Sequence, residues 1–117
     1  MAQRNETFGR LVKAGIGSIA SCEGTTAPII EDDLGRQIGV AATTIQRYKA
    51  GHLPPEHRTV ELLAEACVRR GLMGRAWLEQ LLHAARYPAI DALSARLIAQ
   101  RPAEPALPRV YENLPSV

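Results

Sequence analysis

A chain of 117 residues, 46% of them hydrophobic, can bury one modest core and is most simply a single domain with a tail. Fourteen Lys and Arg against twelve Asp and Glu leave a net charge of +2, too near neutrality for a uniformly basic coat, so any basic surface has to be local. One Trp, one Phe and three Tyr leave the core to Leu, Ile, Val and Ala, a composition that suits packed helices better than a sheet, and the expected class is all-α.

Helix 1 is expected from Thr7 to Cys22, because Phe8, Leu11, Val12, Gly15, Ile16 and Ile19 recur at spacings of three and four, with Asn5 or Thr7 able to cap it. Gly15 and Gly17 inside that run each cost about 1 kcal/mol relative to Ala, which points to a close helix contact or a local bend. "EGTTAPI" then has the Gly, Thr and Pro content of a loop. Helix 2 is expected to begin at Glu31, Asp32 and Asp33, whose carboxylates suit the positive end of a helix dipole, to carry Leu34 and Ile38 inward, and to end at Gly39. "AATTIQRYK" makes helix 3, with Ile45 and Tyr48 facing the core and Gly51 closing it, and the prolines of "HLPPEHR" make a stiff connector.

Helix 4 should begin after Thr59, bury Val60, Leu63, Ala64 and Cys67, and stop at Gly71. Helix 5 should turn Trp77, Leu78, Leu81, Leu82 and Ala85 inward before Pro88, and helix 6 shows Ile90, Leu93, Leu97 and Ile98 on one stripe. Residues 101–117 carry four prolines and no periodicity, the pattern of an extended linker or tail behind a domain of residues 1–100. Cys22 and Cys67 both fall in apolar helical stretches and are expected as buried thiols, not as a disulfide, which fits a reducing cytoplasm. No apolar run approaches the roughly 18 residues of a membrane span, and "MAQRNETFGR" lacks a signal peptide's apolar centre, so a soluble, intracellular protein without a membrane partner is expected.

Chemistry finds few candidates. His52 and His57 have no Cys or third His near them, so no metal site is expected. The "GIGS" of residues 15–18 lacks the Gly-Lys-Ser/Thr that closes a phosphate-binding loop, and packing is the better reading. Glu31, Asp32 and Asp33 are adjacent and fan around a helix start instead of forming a facing acid-base pair, and no Gly-x-Ser-x-Gly elbow occurs. Neither an enzyme nor a cofactor is expected.

Leu34, Ile38, Gly39, Val40, Ile45, Tyr48 and Gly51, the loop prolines and the "LLAEA" of the following helix carry a family resemblance: residues 34–66 resemble the helix-turn-helix of the phage repressor and Cro type, the XRE-like class. The resemblance implies a five- to six-helix repressor-like bundle in which helix 2 braces and helix 3 enters the DNA major groove. It also implies base reading by Ala42, Thr43 and Arg47 with Gln46 beside them, and backbone contacts from Thr44, Lys49, His52 and Arg58. Double-stranded DNA is the partner this implies. Family members often place a Gln where this chain has Glu31, a hydroxyl cap where it has Ala41, and an acid where it has Lys49.

Between Glu31 and Arg58, four bases (Arg36, Arg47, Lys49, Arg58) face four acids (Glu31, Asp32, Asp33, Glu56), a balance that implies weak non-specific affinity for duplex. The alternative is therefore a protein-interaction or oligomerisation module that keeps the fold without reading DNA. "PRVYENLP" in the tail looks like the linker that, in bacterial signalling NTPases of the STAND class, joins an N-terminal helix-turn-helix to the nucleotide-binding domain, so a homo-oligomer or a downstream NTPase domain is the other partner to consider.

Overall fold

A computed structural model describes residues 4–100, and the linker reading of residues 101–117 lies outside them. Six helices follow one another: α1 Glu6–Glu23, α2 Ala27–Ile38, α3 Ala42–Lys49, α4 His57–Gly71, α5 Arg75–Ala84 and α6 Ile90–Gln100. The expected all-α class is what forms, with no strand among the described residues beyond an isolated antiparallel bridge between Arg4 and His52.

The core is built on α1. Asn5 caps it by accepting the Phe8 backbone N–H at 2.9 Å, and Gly24 ends it in the left-handed region with φ 68°. The stripe Phe8, Val12, Ile16 and Ile19 is fully buried, and α2, α3, α4 and α5 all pack against this helix while α6 covers α4 and α5. Each such side chain contributes about 1.5–3 kcal/mol by leaving water. Gly15 is where α1, α4 and α5 approach: a Cβ there would lie 2.6 Å from Cys67 Sγ and 2.9 Å from the Trp77 ring. Trp77 is half-buried and donates its indole N–H to the Leu11 carbonyl at 3.0 Å. Gly17 has open space on its side, and nothing in the packing explains it.

Two helix starts differ from the sequence expectation. α2 begins at Ala27, behind Thr26 and with Pro28 in its first turn, so the last three residues of "EGTTAPI" are helix and the acids Glu31 to Asp33 lie in its interior. The reason is that a proline early in a helix lacks only an N–H that would be unbonded there anyway, so Pro28 starts the helix instead of breaking it. α4 likewise begins at His57, with Glu56 in the extended cap position, and not after Thr59.

The thiols part company as well. Cys67 is fully buried as expected, and burial pushes its thiol up to about 12. Cys22 is exposed, in the last turn of α1 where Ser21 to Gly24 are all exposed. A thiol reagent is therefore expected to modify one equivalent in the native protein and the second only after denaturation, which a titration with and without guanidinium checks. No helix among the described residues is long and apolar enough to cross a membrane.

Candidate nucleic-acid interface

Alpha-3 has eight residues, too few to be stable as an isolated helix, so its position depends on what it is packed against. Ile45 and Tyr48 are buried and hold it to the core as expected. Burial first, and the charge of Glu56 second, raise the Tyr48 phenol above its ordinary value, so it sits neutral in the core. The turn before α3 is tight. Gly39 takes φ 94°, which an L side chain rarely adopts, and the N–H groups of Gly39 and Val40 both reach the Gly35 carbonyl at 2.8 Å. Gly35 itself is needed for close approach, since a Cβ there would stand 2.5 Å from the Val40 carbonyl oxygen. Ala41 occupies the cap position of α3 and supplies no side-chain bond.

Anchored on that side, α3 leaves Thr43, Gln46, Arg47 and Ala50 exposed, with Ala42 and Thr44 half-buried at the edges. Arg47 is the freest of these: its guanidinium has no hydrogen-bonding or ionic partner among the described residues. Gln46 and Lys49 are not free. Glu31, 4% exposed on α2, accepts from Gln46 Nε2 on Oε1 at 3.2 Å and pairs through Oε2 with Lys49 Nζ. Lys49, one of the expected backbone contacts, thus has its ammonium paired with a carboxylate of the fold. Arg58 is also engaged, with its guanidinium on Glu61 at 3.2 Å in the first turns of α4.

The three carboxylates expected at the start of helix 2 lie inside α2 instead, and each has a cation. Glu31 has Lys49, Asp32 has Arg36 one turn on at 2.9 Å, and Asp33 has Arg70 of α4 at 2.7 Å. Arg70 additionally holds Glu23 at 2.8 and 2.9 Å and Gln37 at 3.2 Å, fastening the end of α1 and the middle of α2 to α4. That guanidinium keeps the Glu23 carboxyl below its ordinary value, against the smaller opposing effect of burial.

One cation escaped the sequence reading. The Asn5 backbone N–H donates to the Gly51 carbonyl at 2.8 Å, and the neighbouring bridge sets Arg4, exposed, beside the half-buried His52 at the end of α3. A one-residue backbone pairing leaves no periodic trace, so only the basic side chain itself hinted at it. The assembled surface is therefore Thr43, Gln46 and Arg47 on α3, with Arg4 and His52 set near its C-terminal end. His52 and His57 belong to no cluster of metal-ligating groups among the described residues, and His57 instead sits edge-to-face on Tyr87 at 5.6 Å. Comparison with protein-family models, curated proteins and solved structures gives no match for this chain.

Proposed function

We propose that this domain is a sequence-specific DNA-binding helix-turn-helix module of a bacterial transcriptional or signalling regulator, with α3 in the major groove. The observation that carries the reading is the division of α3: Ile45 and Tyr48 bury one side, while Thr43, Gln46 and an unpartnered Arg47 stand exposed on the other. A major groove about 12 Å wide admits one helix, and these side chains match its edges, Arg with guanine, Gln with adenine and a Thr methyl with thymine. The resemblance of residues 34–66 to the repressor and Cro type supports the same assignment, and Arg4, Thr44 and His52 are backbone-side groups that remain available.

A second reading, a protein-interaction or oligomerisation module of a STAND-type signalling protein, is favoured by the pairing of every acid on α2 with a cation, which leaves Lys49, Arg36 and Arg70 committed. Salt separates the two. If DNA is the partner, the logarithm of duplex affinity falls with the logarithm of salt by about 0.9 for each phosphate neutralised. Fluorescence anisotropy of a labelled duplex from low to moderate salt measures that slope. A flat response, or no binding by the folded protein at low salt, contradicts the DNA reading and favours the interaction module.

A further inference from the structure

Glu31 is an unusual residue to find beneath a reading helix. It is 4% exposed, it comes from α2, and its two oxygens engage two side chains one turn apart on α3. An ionised carboxylate only accepts hydrogen bonds, so Gln46 can face it with its NH2 and never with its carbonyl oxygen. The Gln46 amide is thereby held in one orientation. One N–H is on Glu31, while the other N–H and the Oε1 acceptor remain for whatever α3 meets. An adenine edge requires that pair of groups, a donor for N7 and an acceptor for the N6 amino group, whereas guanine presents two acceptors. The second oxygen of Glu31 meanwhile pairs with the Lys49 ammonium.

We propose that Glu31 is a positioning residue for base recognition, which pre-orients Gln46 for adenine and withholds Lys49 from the DNA backbone. This role rests on the DNA reading proposed above. Its consequence is a pair of changes of opposite sign. Glu31→Gln keeps the volume, but an amide both donates and accepts, so Gln46 is no longer forced into one orientation and Lys49 is no longer neutralised. Discrimination for adenine over guanine at the base pair facing Gln46 is expected to fall about two- to tenfold, the effect of leaving one side chain to be ordered on binding. Affinity for non-specific duplex is expected to rise, with a salt slope steeper by about 0.9 for the added phosphate contact. A purely structural loss would weaken specific and non-specific binding together.

The test uses the whole chain and four proteins: wild type, Glu31→Gln, Gln46→Ala and the double variant. Each is measured by anisotropy on the duplex selected by wild type, on the same duplex with the single adenine changed to guanine, and on an unrelated duplex at two salts. The role predicts that Glu31→Gln loses discrimination in the wild-type background and loses none where Gln46 is already Ala, and that non-specific affinity rises. The side-chain amide of Gln46, observed by 15N NMR without DNA, should lose its protection from exchange in Glu31→Gln. If Glu31→Gln does not fold, the Glu31→Met, Lys49→Met pair removes both charges at similar volume and is read for discrimination in its place. A wild type that selects a motif while the Glu31 variants keep its discrimination overturns the positioning role alone. A folded wild type that selects no motif overturns the DNA reading and this role with it.

Discussion

If α3 reads DNA as proposed, Arg47→Ala is expected to lower affinity for the preferred duplex by about five- to a hundredfold and to relax base preference at one position, while the melting temperature stays within the range of an ordinary surface substitution. The binding loss follows from the geometry of an arginine fork on guanine, worth about 1–3 kcal/mol of discrimination, at 1.4 kcal/mol for each factor of ten. Stability is spared because the guanidinium is exposed and has no partner among the described residues, so its removal orphans nothing. Lysine restores only part of the effect, since a point charge attracts phosphate without matching two acceptors at once. Anisotropy on the wild-type duplex and its single-base variants, with thermal melts of both proteins, checks both halves.

Ile45→Ala acts the other way round. Alpha-3 has two buried anchors on eight residues, and Ile45 is the one with no exposed surface at all. Truncating it removes transfer energy and leaves a cavity between α3 and the helices beneath, for a loss of about 2–5 kcal/mol. Against the 5–15 kcal/mol total of a typical domain that is a large fraction, and it lowers the melting temperature by about 4–8 °C for each kcal/mol. DNA binding should fall only as the folded fraction falls, with base preference unchanged in what remains folded. Urea unfolding followed by circular dichroism gives the first quantity, and anisotropy well below the transition gives the second. Arg47 and Ile45 are two positions apart, and their opposite profiles separate the reading side of the helix from its supporting side.

Most of the architecture was legible because it depends on local periodicity. Phe8, Val12, Ile16 and Ile19 recur at helical spacing and are buried, Leu78, Leu81 and Leu82 behave alike, and Gly24, Gly39 and Gly51 all take positive φ at turns. The start of α2 was less legible, since Pro28 reads equally as a loop residue and as a first-turn residue. That one ambiguity concealed the burial of Glu31. Once α2 is extended to Ala27, Ile30 and Leu34 flank Glu31 on one inward stripe, and burial of the carboxylate follows from spacing. Its partners did not follow, because Gln46 and Lys49 are 15 and 18 residues away on another helix, and a pairing set by tertiary packing has no signature in local pattern. Cys22 shows the reverse error: it continues the Ile16 and Ile19 stripe by spacing, but falls in the last turn of α1 and is exposed there.

Selection of a random duplex library on the purified chain, beside Arg47→Ala and at two salt concentrations, is the decisive test of base reading by α3. If α3 reads DNA, a defined motif is expected to be enriched, containing a guanine whose preference disappears in Arg47→Ala, with weaker retention at the higher salt. A folded wild-type protein that enriches nothing at either salt, or an enriched motif that Arg47→Ala selects equally well, would contradict it.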